Sequence, residues 1–236
     1  MQTQEPQAQA HTAEDWFDPA FVAGWLARGG GQDRRHQFAK IRAQIPFRRD
    51  DAFRYLNLGA GPGGLDALLL SSFPHAEATL LDGSPVMLDA ARQLLAPFGT
   101  RASFVQADLR HPGCCDAVRA PYDVAVSKSA IHNFFDGAQI RRLYATIFPV
   151  LADGGLFVNL DLVRLESPAL GAMAKWAGRD PDAGLVGGGE APGGTLAEQL
   201  GWLREAGFTA VDSYWRDYGS ALFGGWRGRV RIPDVD

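Results

Sequence analysis

The spacing of apolar positions changes several times along this chain, and each change marks an element. Near the start, Asp18 offers an N-cap and Pro19 the first helical position. Val22, Trp25 and Leu26 then form a helical stripe that Gly29-Gly30-Gly31 ends. A second helix is predicted from about Asp33, with Phe38, Ile41 and Ile45 on one side and Pro46 as its stop. From Phe53 the spacing tightens. Phe53 to Leu58 reads as a buried strand, a glycine-rich turn follows, and Leu65 to Leu70 opens an apolar helix. Ala78 to Leu81 is the next strand. Ser84 and Pro85 then cap and start a helix lined by Leu88, Ala91 and Leu95. Ser103 to Gln106 and Asp123 to Val126 read as the third and fourth strands. Asp136 and Gln139 resemble a capping box for a helix carrying Ile140, Leu143, Tyr144, Ile147 and Leu151. Asp153-Gly154-Gly155 turns that helix into the strand Leu156 to Leu162.

Strands alternating with helices imply a parallel sheet with right-handed crossovers. The rhythm breaks over 163–194, with a short helix around Pro168 to Trp176 and a glycine-rich stretch, Gly184 to Gly194, expected to be a mobile loop. Thr195 and Glu198 form a second capping box, opening a helix to Ala206. Thr209 to Trp226 then reads as two strands with a turn at Asp217 to Gly219. The expected organisation is a polar, disordered segment 1–13, a helical lid 14–50, a cofactor-binding core 51–162, a substrate-side insertion 163–194, and a closing helix and hairpin 195–236. The expected fold class is α/β, doubly wound, with a mostly parallel seven-stranded sheet.

Composition narrows the function. A net charge of −4 without a block of basic residues argues against a nucleic-acid partner. No stretch is long and apolar enough for a membrane span or a secretory leader, so a cytoplasmic protein is expected. The two cysteines, Cys114 and Cys115, are adjacent, which suits neither a relaxed disulfide nor a metal site.

The chemistry gathers at the glycine turn Gly59-Ala60-Gly61-Pro62-Gly63-Gly64. Glycines after a strand let the backbone approach a ligand, and the following helix N-terminus favours negative charge. Gly59, Gly61 and Gly64 satisfy the dinucleotide spacing G-x-G-x-x-G, whereas Gly59, Gly61 and Gly63 satisfy G-x-G-x-G. The turn alone therefore fits two cofactor classes. Asp82 ends the next strand, where a carboxylate either binds ribose hydroxyls or caps a helix. Asp108 ends the third strand, where it either accepts from an adenine amino group or caps a loop. Ligands of such sheets bind outside the carboxyl ends of the strands.

With these residues in place, 53–228 resembles the class I S-adenosylmethionine-dependent methyltransferases. Leu56 to Gly63 resembles the family's first motif, Leu81 to Leu88 its second strand end, and Gln106 to Leu109 its adenine segment. Phe148 to Gly155 resembles the turn before strand five, and Phe223 to Trp226 the terminal hairpin. The resemblance implies S-adenosyl-L-methionine as cofactor. Its candidate contacts are Asn57, Gly59, Gly61, Gly63, Asp82, Gly83, Met87, Asp108, Leu109 and Ser127. One position departs: the family usually carries Asp or Glu where Asn57 stands, and that acid helps hold the cofactor's amino group. A cofactor-binding protein that catalyses another reaction, such as a cyclisation, is therefore an alternative. An NAD-dependent enzyme is the less favoured one, since the turn lies behind two helices and no Tyr-x-x-x-Lys is present.

The segment Ser127 to Phe134 should border the transferred methyl group. It lacks the N-P-P-Y type motif and the cytosine-C5 cysteine, which points to a small-molecule acceptor, methylated at oxygen or nitrogen. His132 is the candidate general base, with a structural histidine as the plain alternative. Asp161, ending strand five, is expected to face the crevice, where it either binds the acceptor, orients a base or acts as a structural cap, and Trp16, Phe21 and Trp176 either enclose the acceptor or pack the helices onto the sheet.

Overall fold

The computed structural model describes residues 14–30, 35–134, 136–177 and 193–232. The expected disordered start, the beginning of the second helix and most of the expected mobile loop lie outside them.

Helices α1 (Pro19–Ala27) and α2 (Arg35–Arg42) precede the sheet. Then follow β1 (Arg54–Leu58), α3 (Gly64–Ser72), β2 (Glu77–Asp82), α4 (Pro85–Leu95), β3 (Ala102–Gln106) and β4 (Tyr122–Lys128). The second half holds α5 (Gly137–Val150), β5 (Leu151–Leu162), α6 (Pro168–Trp176), α7 (Leu196–Glu205), β6 (Thr209–Asp217) and β7 (Ser220–Trp226). The seven strands lie in the order β3-β2-β1-β4-β5-β7-β6. β1 to β5 pair in parallel, while β7 runs antiparallel to both β5 and β6. The doubly wound, mostly parallel seven-stranded sheet is thus present, preceded by helices.

The N-caps act as read, although Asp136 caps through Ala138 and not as a reciprocal capping box with Gln139. Asp18 accepts from the Ala20 amide, Ser84 from Met87 and Asp136 from Ala138. Thr195 and Glu198 satisfy each other's backbone amides in a full capping box. One boundary differs. β5 begins at Leu151, so Asp153-Gly154-Gly155 is an irregularity within the strand rather than a turn before it. The cause is local pairing: the Gly154 amide donates to the Arg227 carbonyl, and the Arg227 amide donates to the Gly155 carbonyl.

Strand alternation divides the core into two layers. Leu56, Leu58 and Ala125 face a cluster containing Ile140 and Ile147 of α5 and Leu203 of α7. Tyr55, Val124 and Val126 face the other cluster, with Ile41 of α2, Leu69 of α3 and Ala91 of α4. Asn57 lies between Leu56 and Leu58, so the alternation places it on Tyr55's side, toward α3. Cys114 and Cys115 are buried free thiols in the first cluster.

The chain winds outward from β1 to β3, then returns to place β4 on β1's other side. The strand order reverses between β1 and β4, and a crevice opens at the carboxyl ends there.

Candidate functional site

The turn after β1 is held by its neighbour strand. The Gly59 and Ala60 amides both donate to the Leu81 carbonyl, at 2.8 and 3.1 Å. The Gly61 amide donates to Asp82 Oδ2 at 2.8 Å, and the Ser84 amide to Asp82 Oδ1 at 2.9 Å. Asp82 thereby braces the glycine turn against the start of α4. Burial raises its carboxyl pKa, and the donated amides of Ser84, Gly61 and Gly83 oppose that rise. Each carboxylate oxygen keeps a second lone pair, so Asp82 retains accepting capacity.

The glycines of the turn have different tasks. Gly59 (φ +67°) lies so close to Ala130 that a side chain would collide with its methyl group. Gly63 (φ +82°) is the N-cap of α3 and packs on Ala91 and Leu95 of α4. Gly61 (φ +57°) faces open space, with nothing within 4 Å of where a Cβ would stand. The open approach to a ligand belongs to Gly61.

An open cavity covers these strand ends. Its floor includes Asn57, Gly59, Gly61, Asp82 and Gly83, with Met87 from α4. Asp108, Leu109 and Arg110 close one side, and Lys128 to Ala130 the other. Trp16, Phe17, Trp25, Phe38 and Phe134 form an aromatic wall. The Trp16 indole N–H donates to Asn133 Oδ1 at 3.2 Å, and its ring meets Trp25 edge-on at 5.3 Å.

Other expected residues stand elsewhere. Ser127 is fully buried and donates to the Leu58 carbonyl at 2.9 Å, tying β4 to β1. Phe21 backs Trp16 edge-on at 5.5 Å and does not line the cavity. Trp176 is 89% exposed and also stands off the wall.

Asp108 is engaged by Arg110, whose Nη2 lies 2.9 Å from its carboxylate. Arg110 also reaches Glu14 at 2.9 Å and lies over the Phe17 ring at 4.6 Å. Phe17 in turn packs on Gly83, where a ring carbon would stand 2.5 Å from a Cβ. This cluster fastens the segment before α1 across the cavity.

His132 and Asp161 form a pair just behind the wall. His132 Nδ1 lies 2.5 Å from Asp161 Oδ1. Asp161 Oδ2 accepts the amides of Ile131 and His132 at 3.0 and 3.1 Å. The buried carboxylate therefore fixes both the imidazole and the short helical turn Ile131–Asn133. The neighbouring Ala130, Asn133 and Phe134 line the cavity, whereas His132 does not.

Sequence reasoning missed Asp66, Arg110, Lys128 and Phe38. Asp66 is fully buried in the first turn of α3 and accepts from Asn57 Nδ2 at 2.8 Å. Its signal was available: an acid in the apolar run Leu65 to Leu70, at the start of the helix after the turn.

Comparison with known proteins matches residues 56–155 to a methyltransferase domain model. This match supports a class I S-adenosylmethionine-dependent methyltransferase domain over residues 56–155. The chain is 35% identical over 157 residues to a trans-aconitate 2-methyltransferase of Streptomyces avermitilis, spanning 63% of this chain and 56% of that protein. A Streptomyces coelicolor protein of the same name is 39% identical over 101 residues, spanning 42% and 31% respectively. The match thus spans about half the length of these relatives, or less. The fold matches the mitomycin 7-O-methyltransferase MmcR (TM-score 0.69, 19% identity, 94% of this chain and 62% of that one). It also matches the pyocyanin biosynthetic protein PhzM (TM-score 0.69, 21% identity, 94% and 63%).

S-adenosylmethionine is the cofactor of the methyltransferases that this chain resembles, and the cavity fits it on three counts. Gly61 leaves room for close approach. Carboxylates stand at the ends of β2 and β3. Asn57 Oδ1 is a buried acceptor without a partner, on a residue that lines the cavity.

Proposed function

We propose that this chain transfers a methyl group from S-adenosylmethionine to an oxygen of a small, largely apolar acceptor. The observation that carries the reading is the meeting of the strand-end floor with the five-ring aromatic wall in one cavity. The cofactor, when bound, supplies a methyl group on a positively charged sulfur. The protein's own task is then to hold the acceptor in line, exclude water and receive a proton.

In this reading Asp82 holds the ribose hydroxyls and Gly61 admits the backbone approach. Met87 and Leu109 flank the adenine, whose amino group Asp108 accepts. Trp16, Trp25 and Phe38 sandwich the acceptor, and the segment before α1 acts as a lid fastened through Arg110. His132, oriented by Asp161 behind the cavity lining, receives the acceptor's proton by way of a water between its second ring nitrogen and the cavity. Replacing His132 by Ala should lower kcat about 10²–10⁴-fold with little change in cofactor affinity. Unchanged kcat would assign the pair a structural role. The reading includes a cytoplasmic setting and no nucleic-acid partner. Among the described residues, no helix is long and apolar enough to cross a membrane.

The relatives named trans-aconitate 2-methyltransferase favour a second acceptor class, a small polycarboxylate. Lys128 on the wall is the observation that supports it. Against it, the other lining cation, Arg110, is shared between Asp108 and Glu14. Transfer of labelled methyl to a panel of flat phenols and to trans-aconitate separates the two. We expect turnover with phenols. Turnover with trans-aconitate alone would overturn the apolar assignment, and turnover with neither class would count against both.

A further inference from the structure

The buried group left without a task is Asp66. It stands in the first turn of α3, fully enclosed, directly below the glycine turn. Asn57 Nδ2 donates to its Oδ2 at 2.8 Å. Asn57 Oδ1 is buried beside the cavity and has no partner, whereas the Asp66 carboxyl faces the Tyr55 hydroxyl. A buried acceptor left unpaired is costly and calls for a partner from outside the chain.

The pair has a defined logic. An ionised carboxylate only accepts hydrogen bonds, so it compels Asn57 to turn its NH₂ toward Asp66. Oδ1 is then left as the free acceptor. A protonated Asp66 is itself a donor and holds the amide equally well the other way round. The ionised form also places a negative charge one side chain behind the cavity wall, where Asn57 itself has none.

Resting on the reading that S-adenosylmethionine binds here, we propose that Asp66 is a positioning residue for the cofactor's α-ammonium group. It fixes the Asn57 amide so that Oδ1 accepts an ammonium N–H, and it supplies the negative charge from α3 rather than from β1. The titration of the site supports this. Burial lifts the Asp66 carboxyl to about 7, and the hydrogen bond from Asn57 and the nearby Tyr55 hydroxyl oppose that rise. Tyr55 of β1 is the titratable group facing it. Arg101, before β3, acts on Tyr55, and Lys128 of β4 shares the cavity wall with Asn57. A bound ammonium favours the ionised carboxylate, so cofactor binding near neutrality releases the Asp66 proton to solvent.

The test is calorimetric titration with S-adenosylhomocysteine, which carries the same ammonium group and needs no turnover. It is run on the full chain, in two buffers of different ionisation enthalpy, between about pH 5.5 and 7.5. The wild type should bind severalfold more tightly at the upper end and release a fraction of a proton. Asp66→Asn should bind at least about tenfold more weakly, with a flat pH response and no such release. The double variant Asn57→Asp with Asp66→Asn, which returns the acid to the strand, should recover most of the affinity. Circular dichroism melts confirm that each variant is folded.

Equal affinity and equal pH response in wild type and Asp66→Asn would overturn the role of Asp66 alone. So would weak binding that the double variant leaves unrescued while the pH response persists. Failure of the wild type to bind would instead overturn the cofactor reading on which the proposal rests.

Discussion

Gly59 and Gly61 stand two residues apart, both with positive φ, and answer to different neighbours. Gly59 is fixed by the Ala130 methyl behind it, so Gly59→Ala overpacks the interior and should cost about 1–3 kcal/mol of stability in chemical denaturation. Gly61 faces the cavity. Its alanine variant pays only the left-handed backbone cost of about 1–2 kcal/mol, and cofactor binding should suffer beyond that loss. The contrast is checked by measuring denaturation midpoints and S-adenosylhomocysteine affinity for both variants. Equal binding by folded Gly61→Ala would show that the approach at Gly61 is not used. The sequence motif names these glycines together, and only the tertiary neighbours separate them.

At the scale of elements, the segment Glu14–Phe17 lies against the cavity, with Trp16 and Phe17 in its lining. Among the described residues, the contacts that fasten the segment include the Arg110 bridges to Glu14 and Asp108, the Phe17 ring on Gly83, and Trp16 on Asn133. Arg110→Ala removes the centre of that fastening. Exposed ion pairs contribute little to global stability, about 0–1 kcal/mol. We therefore expect a nearly unchanged melting temperature but faster proteolysis before α1, slowed again by bound cofactor. Protease resistance equal to the wild type would show that Arg110 does not secure the segment.

The sheet and its helices were legible because caps and periodicities are local: Asp18, Ser84, Asp136 and Thr195 all act as N-caps. The irregular stretch at Asp153-Gly154-Gly155 within β5 was not, because it depends on pairing with Arg227, more than seventy residues later. The same holds for the site. Strand ends locate Asp82 and Asp108 from sequence, and both reach the cavity. Phe21 and Trp176 were placed by residue type alone, and neither lines it. Asp66 escaped notice because its meaning lies in one hydrogen bond across two elements.

For the molecule as a whole, Asp66 couples stability to pH. Its carboxyl rises from 3.8 in a model environment to about 7 in the fold. Folding therefore favours the protonated form. The associated stability is fully present below about pH 4 and is lost as pH rises through about 7. At 1.36 kcal/mol per pKa unit the full loss is of order 4 kcal/mol. Asp66→Asn should thus be more stable than the wild type at pH 8, with the difference shrinking toward pH 4, while binding cofactor less well. Denaturation midpoints across that range check the sign. A variant less stable than the wild type at pH 8 would contradict the burial cost assigned to this group.

In the proposed function the strand-end cavity binds S-adenosylmethionine through Asp82. Calorimetric titration of S-adenosylhomocysteine into the wild type and the folded Asp82→Ala variant tests it directly. One-to-one binding by the wild type, weakened by about 1–3 kcal/mol in the variant, is the predicted result. No binding by the folded wild type, or equal affinity in both proteins, would contradict it.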